Sequence, residues 1–316
     1  MRAPLISLVG LLACTHSERS VRIAPASADS PPDIEDTTVE TGDTDREDTS
    51  VEPEVIHFAA IGDYGNGGSA ETDVAELVAG WNPDFVITLG DNNYDSGSAS
   101  TIDLHIGRDW HAYIGGYDGA YGEGSEENRF FPCLGNHDWA SGTVQPYLDF
   151  FELPGNERYY SFSKGPIDFF VLDSDEHEPD GRESTSLQAE WLQQELEASD
   201  APFQVVYFHH APYTSGSHTS NTYLQWPFAE WGVDVVLSGH DHTYERLEVD
   251  GIPYFVNGLG GAGRYPFETV LPESQFRYND DHGAQRVTAS NTGIRLEFVN
   301  RAGEVIETYV VGEDPG

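Results

Sequence analysis

The run Asp84-Phe85-Val86-Ile87-Thr88-Leu89-Gly90-Asp91-Asn92-Asn93-Tyr94 decides how this chain folds. Its apolar part is short and rich in β-branched residues, which is typical of a buried strand. The strand pattern stops at Gly90 and Asp91 follows directly, so the run predicts a strand with a carboxylate at its C-terminal end. The C-terminal ends of strands are where α/β sheets form ligand sites.

Four further segments repeat this arrangement of an apolar strand followed by polar residues. They end in Gly62-Asp63-Tyr64-Gly65, Gly135-Asn136-His137-Asp138, His209-His210-Ala211-Pro212-Tyr213 and Gly239-His240-Asp241-His242. Between the first two strands a helix is predicted from Ser69 to about Trp81, because Val74, Leu77 and Val78 share one face. A strand, a helix and a strand in this order are usually parallel and right-handed, which brings strand ends to one edge.

The remaining pattern predicts further helices and a final set of strands. Helices are expected at about 102–114, 142–153, 184–198 and 221–232, and residues 158–173 predict a hairpin that turns at Lys164-Gly165. The segment from 234 to about 311 contains mostly strand-like runs. We therefore predict an α/β fold, an α+β sandwich of two packed mixed β-sheets flanked by helices, in one domain spanning residues 55–316.

The residues at the strand ends are metal-ligand types. They are Asp63, Asp91, Tyr94, Asn136, His137, His209, His210, His240 and His242. Carboxylate and phenolate oxygens together with imidazoles suit Fe, Mn or Zn, whereas thiolate sites need cysteines, and only Cys14 and Cys133 are present. A carboxylate such as Asp91 can bridge two ions, so the set predicts a binuclear metal site at strand C-terminal ends. A single strand-end His or Asp, taken alone, is more often only hydrogen-bonded in place.

The ordered motifs GDYG, GDNNY, GNHD, HHAPY and GHDH resemble those of the metallophosphoesterase (calcineurin-like) superfamily. Within it they are similar to the purple acid phosphatase branch, and the resemblance covers roughly residues 56–311. Tyr94 favours this branch over the protein Ser/Thr phosphatases, which have a different second motif. The resemblance implies a binuclear metallophosphatase.

The resemblance also implies which residues bind each ion. The first ion, Fe(III), would be held by Asp63, Tyr94 and His242, and Asp91 would bridge the two ions. The second ion, Fe(II), Zn or Mn, would be held by Asn136, His210 and His240. His210 is preferred over His209 because the ligand of the family stands before one residue and then Pro, as in His210-Ala211-Pro212. His209 would then line the site.

Three more residues are candidates for catalysis through the same resemblance. His137 would face the substrate phosphate, and Asp138 beside it could orient the imidazole. His218, eight residues after His210, matches the place where the family often has a histidine near the leaving group, so it is a candidate general acid. The alternative is that His218 is an ordinary histidine of a surface loop.

The expected activity is hydrolysis of phosphomonoesters by attack of metal-bound hydroxide, with a phosphate-ester small molecule as substrate. Neither a Ser nor a Cys nucleophile is required. A phosphodiesterase or nucleotidase of the same fold is the alternative, since the same pair of ions can attack diesters. A non-catalytic acidic surface lipoprotein is a third hypothesis. The sequence leaves the natural substrate and the oligomeric state open.

The N-terminal residues predict export. Arg2 is followed by an apolar run, and Leu11-Leu12-Ala13-Cys14 resembles a bacterial lipobox, so residues 1–13 are expected to be a signal peptide. Residues 14–54 are acidic and nearly free of large apolar side chains, which indicates a disordered tether. We therefore expect a cell-envelope lipoprotein, or a secreted protein, that contacts the membrane only through a lipid on Cys14. A cytosolic start with a chance apolar segment is the alternative.

The charge of the chain limits its partners. With 55 acidic and 15 basic residues, the formal net charge is −40. Such a surface repels nucleic acid and anionic membranes, so no nucleic-acid partner is expected. Solubility, or life at high salt, is the simplest explanation for the excess of acid.

Overall fold

The computed structural model describes residues 55–316, and the predictions for the signal peptide, Cys14 and the tether lie outside these residues. The described chain forms two β-sheets with helices on their outer faces. This architecture confirms the prediction of two packed mixed sheets flanked by helices.

The first sheet has six strands in the order β13-β12-β11-β1-β2-β3. These strands are β1 (Ile56–Ile61), β2 (Phe85–Thr88), β3 (Phe130–Pro132), β11 (Gly283–Ser290), β12 (Gly293–Asn300) and β13 (Val305–Gly312). β1, β2 and β3 are parallel, and the three C-terminal strands extend the sheet in antiparallel pairs beside β1. The ends of β1, β2 and β3 therefore reach the same edge of the sheet.

The second sheet has seven strands in the order β10-β8-β9-β7-β6-β5-β4. These strands are β4 (Tyr160–Lys164), β5 (Ile167–Val171), β6 (Phe203–His210), β7 (Val235–Gly239), β8 (Tyr244–Val249), β9 (Ile252–Asn257) and β10 (Ser274–Tyr278). β5, β6, β7 and β9 are parallel, whereas β4 forms the predicted antiparallel hairpin with β5. The second sheet thus also presents neighbouring strand ends at one edge.

Aromatic side chains fill the space between the two sheets. The ring of Phe85, on the six-stranded sheet, stacks on Phe58 at 5.0 Å between centroids. It also makes edge contacts with Phe169 at 5.6 Å and Phe162 at 6.2 Å, both on the seven-stranded sheet. Because each buried aromatic ring removes a large apolar area from water, this layer holds the two sheets face to face.

Helices cover the outer face of each sheet. They are α1 (Ser69–Trp81), α2 (Arg108–Trp110), α4 (Gln145–Phe150) and α5 (Leu187–Ala198), whereas α3 (Asn136–Trp139) is a single turn directly after β3. Val74 and Val78 of α1 pack on the six-stranded sheet, and Leu192 and Leu196 of α5 pack on the seven-stranded sheet. The segment predicted at 102–114 is helical but irregular: a π-helix (Asp103–Gly107) and a 3-10 turn (His111–Tyr113) flank α2.

Three predicted helices differ from the structure. The one expected at 142–153 is limited to α4, and α5 begins only after Ser186, whose hydroxyl accepts a hydrogen bond from the Ala189 N–H at 3.2 Å. The helix expected at 221–232 is wrong, since that segment contains only a 3-10 turn (Thr222–Leu224). Pro227 explains the difference, because proline disfavours helical geometry at the preceding residue and lacks the N–H that a helix needs.

Among residues 55–316, no helix is both long enough and apolar enough to cross a membrane.

Candidate metal centre

The candidate site lies where the C-terminal ends of strands from both sheets meet. β1, β2 and β3 lead to Asp63, Asp91 with Tyr94, and Asn136 with His137. β6 and β7 lead to the histidines, which are His209, His210, His240 and His242. The six-stranded sheet therefore supplies mainly oxygen donors, and the seven-stranded sheet supplies nitrogen donors.

Three of these residues have backbone angles in the left-handed region directly after their strands. The φ angles are 56° at Asp63, 54° at Asp91 and 71° at His240. Non-glycine residues adopt this region rarely, and they do so where a turn or a functional site requires it. Gly90 has no side chain, which lets its backbone lie close to the His209 ring, since a Cβ there would lie 2.6 Å from His209 Nδ1. The chain thus turns sharply at each strand end and keeps the side chains within the site.

Donor atoms of Asp63, Tyr94 and His242 form a first cluster. The Tyr94 hydroxyl lies 3.3 Å from Asp63 Oδ1 and 3.2 Å from His242 Nε2. His242 Nε2 lies 3.3 Å from the same carboxylate oxygen. Asp63 is fully buried, and its second oxygen accepts a hydrogen bond from the His240 backbone N–H at 2.9 Å. The three residues expected to share one ion are therefore brought together.

A second cluster is centred on His209. Its Nε2 atom lies 3.0 Å from Asn136 Oδ1, 3.1 Å from His240 Nδ1 and 3.4 Å from Asp91 Oδ1. His209 also belongs to both potential metal-holding groups found among residues 55–316, one with His210 and His240 and one with Asp63 and Asp91. Sequence reasoning had placed His209 only in the lining of the site.

The spacing within both clusters fits metal coordination. Two donors about 2.1 Å from one ion lie about 3.0–3.4 Å apart when they subtend angles between 90° and 109°. All three donor separations of the first cluster, 3.2–3.3 Å, fall in this interval, as do the three separations of 3.0–3.4 Å from His209 Nε2 in the second cluster. Carboxylate, phenol, amide and imidazole donors are also the types that bind Fe, Zn and Mn. The residues present therefore fit two metal ions.

His209 and His210 have different surroundings, although they are neighbours on β6. His209 Nδ1 donates a hydrogen bond to the Leu89 carbonyl at 2.8 Å, which leaves the lone pair of Nε2 directed at Asn136 and His240. His210 Nδ1 instead hydrogen-bonds the Ser174 hydroxyl at 2.9 Å. Each ring thus uses Nδ1 for a hydrogen bond and has Nε2 as a possible metal donor. The short distances from His209 Nε2 to Asn136 and Asp91 favour His209 as a ligand, whereas His210 belongs to one potential metal-holding group with His209 and His240. The preference for His210 stays a prediction.

His137 lies beside the first cluster but is held by a different residue from the one expected. Its ring is 4.3 Å from the Tyr94 ring, and its Nδ1 donates to the Asp95 carbonyl at 2.7 Å. Asp138 was expected to orient this ring. Its carboxylate instead accepts hydrogen bonds from the N–H of Gly135 at 2.9 Å and the side chain of Asn92 at 2.9 Å. Asp138 therefore holds the loop between β3 and α3 in place.

His218 lies next to the second cluster. Its ring is 4.2 Å from the His240 ring and 5.2 Å from the Tyr265 ring. The His218 backbone N–H donates to Asp241 Oδ1 at 2.9 Å, so this segment is fixed to the residue between the two histidines of the GHDH motif. The imidazole of His218 thus lies beside His240, and its role in catalysis stays a prediction.

Burial and charge set the pKa values in the site. Burial raises the pKa of the Asp63 carboxyl, but His242 and His209 outweigh burial and leave this pKa below its usual value. Burial lowers the pKa of His209, and Asp91 and Asp63 outweigh it in the opposite direction. Burial together with His209 lowers the pKa of His240 far below its usual value. The carboxylates therefore attract positive charge to the site, while His240 keeps a free lone pair.

Tyr94 needs a cation before it can ionise. Burial raises the pKa of its phenol well above the usual value, and the Asp91 and Asp63 carboxylates raise it further. Burial and Asp91 also raise the pKa of Asp138, to about 6. A phenolate at Tyr94 is therefore stable only beside a compensating positive charge.

Sequence reasoning missed residues that support the site. Asn92 is fully buried, and its amide donates to the Cys133 carbonyl at 2.7 Å, while its carbonyl accepts from Tyr64 at 3.1 Å. It therefore links the ends of β1, β2 and β3. Its position beside Asp91 in the GDNNY motif was the available signal. Tyr265, whose ring stacks on His242 at 4.0 Å, lies in a loop without any motif.

The fold has two mixed sheets, and the C-terminal ends of their strands meet and carry two clusters of metal-ligand residues. This combination defines a hydrolase of the metallophosphoesterase class. The chain belongs to the calcineurin-like phosphoesterase family, whose model matches residues 56–244. This assignment confirms the superfamily resemblance of the motifs. The protein is a hydrolytic enzyme that acts on phosphoesters, and its family binds two metal ions.

The chain is also similar to individual proteins in sequence or in fold. The chain is 27% identical to purple acid phosphatase 7 of Arabidopsis thaliana over 284 residues, covering 79% of this chain and 84% of the relative. Its fold matches purple acid phosphatase PPD1 of yellow lupin with a TM-score of 0.66 at 18% identity, covering 83% of this chain and 54% of that one. It also matches GAP50 of Plasmodium, described as the anchor in the inner membrane complex, with a TM-score of 0.64 at 21% identity, covering 82% and 89%.

Proposed function

We propose that this protein is a phosphomonoesterase of the purple acid phosphatase type that uses two metal ions. The observation that carries the proposal is the pair of donor clusters at the joined strand ends, with separations of 3.0–3.4 Å. The fold alone would not suffice, since a phosphatase and a membrane-complex anchor share it. A set of metal-ligand residues at the strand ends distinguishes a catalytic protein of this fold from a non-catalytic one.

The first ion would be held by Asp63, Tyr94 and His242, and we propose ferric iron. Carboxylate and phenolate are hard anionic donors, and they suit a small trivalent ion. The raised pKa of Tyr94 supports this choice, because its proton has to be displaced by a strong cation. His242 Nδ1 hydrogen-bonds the Gly263 carbonyl, which leaves Nε2 directed at Asp63.

The second ion, Fe(II), Zn or Mn in this proposal, would be held by Asn136, His209 and His240, with Asp91 between the two ions. An amide oxygen and two neutral imidazoles carry no charge, so this set suits a divalent ion. His210 would support this side of the site through Ser174. Asp91 would bridge the ions because its donor atom lies within 4.8 Å of those of Asp63 and His209, one residue from each proposed set.

When bound, the two ions would lower the pKa of a water molecule and neutralise the phosphate oxygens. The chain supplies orientation and protons. His137 donates Nδ1–H to the Asp95 carbonyl, so its Nε2, 4.0 Å from Asp91 Oδ2, is left for the substrate phosphate. Protonated at Nε2, this ring would donate a hydrogen bond to a phosphate oxygen.

His218 would donate a proton to the oxygen of the leaving alcohol. Its ring lies 4.2 Å from the His240 ring, beside the proposed second ion. An imidazole suits this task because it can both bind and release a proton under ordinary conditions. Cys133 is fully buried and burial raises the pKa of its thiol, so it does not serve as a nucleophile.

We further propose that the enzyme is exported, with residues 1–13 as signal peptide and residues 14–54 as an acidic tether ahead of the catalytic domain, 55–316. The apolar run before Cys14 and the acidic composition after it support this proposal. Mass spectrometry of the mature N terminus from the native host tests it. A diacylated Cys14 is expected, and an unmodified Cys14 on the mature chain would contradict anchoring.

The test of the activity compares two substrates and two variants. The parent, supplied with Fe, Zn or Mn, is expected to hydrolyse p-nitrophenyl phosphate faster than bis-p-nitrophenyl phosphate. Asp91→Ala is expected to lower this activity at least about 1000-fold, since removal of the bridging carboxylate weakens both ion sites. Asp118→Ala, which removes an exposed carboxylate, is the matched control and keeps the parent rate.

Other outcomes contradict the proposal in different ways. A folded Asp91→Ala protein that retains the parent rate would show that the clusters are not the catalytic site. A preference for the diester would make the protein a phosphodiesterase or nucleotidase instead. Failure to bind metal or to hydrolyse either ester would favour a non-catalytic binding protein.

A further inference from the structure

Arg182 differs from the other arginines of the described residues in that its guanidinium has no ion pair and no hydrogen bond within residues 55–316. Arg158 pairs with Glu178 at 2.8 Å, Arg246 with Glu307 at 2.9 Å and Arg286 with Glu297 at 2.9 Å. In a protein with 55 acidic residues, carboxylate partners are abundant. An arginine without one is therefore available for a ligand.

The guanidinium of Arg182 is held against an aromatic ring. Its Cζ atom lies 4.0 Å from the centroid of the Tyr223 ring, which is within the range of a cation–π contact. The Arg182 carbonyl accepts a hydrogen bond from Trp226 Nε1 at 3.2 Å. Both ends of the residue are thus fixed to the segment 222–226, and the N–H groups at the edge of the guanidinium make no hydrogen bond to the described residues, 55–316.

Two hydrogen-bonded connections tie this arginine to the metal centre. On one side, Gln188 bonds the carbonyls of Gly181 at 2.8 Å and Asp173 at 2.9 Å, and the neighbouring Ser174 bonds His210 at 2.9 Å. The loop that carries Arg182 is therefore anchored beside β6.

On the other side, the turn that carries Tyr223 is anchored to the residue after His210. Asn221 donates to the Ala211 carbonyl from its backbone at 3.1 Å and from its side chain at 2.9 Å. The segments that carry Arg182 and Tyr223 are therefore both anchored next to His210.

The acidic residues near Tyr223 do not neutralise Arg182. Asp175 is paired with His177, whose Nδ1 lies 2.6 Å from its carboxylate. Glu176 and Glu183 are exposed, and neither forms an ion pair with the guanidinium in the described structure. Water screens exposed carboxylates more strongly than a half-buried guanidinium on an aromatic face.

We propose that Arg182, held flat on Tyr223, binds a second anionic group on the leaving alcohol of the substrate. The preferred substrates are then phosphomonoesters whose alcohol carries a carboxylate or a second phosphate. This inference rests on the proposed phosphomonoesterase activity and specifies its substrate class. A planar guanidinium with one face on a ring presents two parallel N–H groups, which match the two oxygens of such an anion.

The experiment uses two substrates that differ only in the second anion. Phenyl phosphate and 4-(carboxymethyl)phenyl phosphate have leaving groups of similar basicity, because a methylene separates the carboxylate from the ring. The measured quantity is the ratio of kcat/KM for the carboxylated ester to kcat/KM for phenyl phosphate. We expect the parent to prefer the carboxylated ester, with most of the preference in KM.

Three variants locate the origin of that preference. Arg182→Ala is expected to lower the ratio about tenfold or more, the size of effect for one charge-assisted hydrogen bond. Arg182→Lys, which keeps the charge but loses the planar fork, should recover only part of the ratio. Arg277→Ala removes an exposed arginine on β10 and changes the net charge equally, so it should keep the parent ratio.

The outcomes separate this inference from the activity on which it rests. If the parent hydrolyses neither ester, the proposed activity fails. If it hydrolyses phenyl phosphate with a ratio that Arg182→Ala and Arg277→Ala change equally, only the role of Arg182 is overturned. A parent that prefers phosphocholine, a cationic ester, would show that Glu176 and Glu183 dominate this side of the site, and would also overturn it.

Discussion

The six-stranded and seven-stranded sheets supply the site with different chemistry. The six-stranded sheet delivers the oxygen donors Asp63, Asp91, Tyr94 and Asn136 from three parallel strands. The seven-stranded sheet delivers only imidazoles, from β6 and β7. Each donor cluster nevertheless draws on both sheets, since Asp63 and Tyr94 meet His242 and Asn136 meets His209. Neither sheet alone contains a complete cluster.

Because the two sheets supply different donors, each sheet shifts the pKa values of groups on the other. The buried carboxylates of the six-stranded sheet raise the pKa of His209 on the opposite sheet, against the effect of burial. In return, His242 and His209 lower the pKa of Asp63. Each half thus stabilises the charge of the other, and the site depends on the apolar layer that holds the two sheets together. The largest predicted effect therefore concerns that layer.

Replacing Phe85 by Ala should destabilise the whole domain. Phe85 contacts Phe58 on its own sheet and Phe162 and Phe169 on the other, and it is 1% exposed. Loss of such a buried ring lowers the free energy of unfolding by about 3–5 kcal/mol. Urea unfolding followed by circular dichroism and by tryptophan fluorescence should give one shared transition at a lower midpoint.

The control for this variant is Phe267→Ala, at a partly exposed position outside the aromatic layer, which should change the free energy of unfolding by less than about 1 kcal/mol. If the two probes report separate transitions in Phe85→Ala, the sheets unfold independently. The prediction that the two sheets unfold together would then be wrong.

The two neighbouring histidines of β6 should differ in how much each contributes to metal affinity. His209→Ala should lower affinity for the second ion by more than about 100-fold, because Nε2 is the atom facing Asn136, His240 and Asp91. His210→Ala should lower it by about tenfold or less, since His210 contacts Ser174 instead. Metal content per chain, measured after dialysis against a fixed concentration of free zinc, distinguishes the two variants.

This pair is its own control, because both substitutions remove one buried imidazole from the same strand. Equal secondary structure by circular dichroism would show that both variants fold. If His210→Ala loses the metal and His209→Ala retains it, the preference derived from the position of Pro212 is right and the geometric assignment is wrong.

A smaller effect on rate is expected at Tyr94, with a distinct spectroscopic result. A phenolate bound to ferric iron absorbs visible light, so the iron-loaded parent should be coloured and Tyr94→Phe should lose the colour. The rate on p-nitrophenyl phosphate should fall by only about tenfold, because Asp63 and His242 remain. Tyr265→Phe is the control. A Tyr94→Phe protein with unchanged colour would remove the purple branch and leave a hydrolase with two metal ions.

The sequence predicts the candidate donors because each follows a strand and stands in a motif. Asp63, Asp91 and His240 were all placed at strand ends, and the structure brings them together after turns with positive φ. The motif order does not show how the rings of the two adjacent histidines are oriented. The orientation of the His209 ring depends on the Leu89 carbonyl, which is 120 residues away in the chain.

Supporting contacts were also beyond the sequence pattern. Asp138 stands beside His137, so adjacency suggested that it orients the ring, whereas the helical turn of α3 directs its carboxylate to Asn92. Arg182 and Tyr223 are 41 positions apart in loops without motifs, and only the fold brings them into contact. Loops carry no periodic signal, so their contacts require three-dimensional structure.

The six-stranded side carries a further buried carboxylate, Glu71 on α1, which gives that half a pH response of its own. Its side chain accepts hydrogen bonds from the N–H groups of Asn66 at 3.0 Å and Gly67 at 2.7 Å, in the loop after Asp63. Burial raises its pKa to about 8, although those N–H groups and Arg108 oppose the rise. Glu71 is therefore protonated in the folded protein at neutral pH.

Glu71→Gln should flatten the dependence of stability on pH. Because the folded pKa is about 8 and the ordinary value is 4.5, the stabilisation is complete below pH 4.5 and is lost as the pH rises towards 8. In this window the parent should lose about 1 kcal/mol of unfolding free energy per pH unit relative to Glu71→Gln. Urea unfolding at pH 5, 6, 7 and 8 measures this difference, with the exposed Glu76→Gln as control. If the difference in unfolding free energy between the parent and Glu71→Gln stays constant across these pH values, Glu71 is ionised in the folded protein. The six-stranded side would then hold its charges without help from the other sheet.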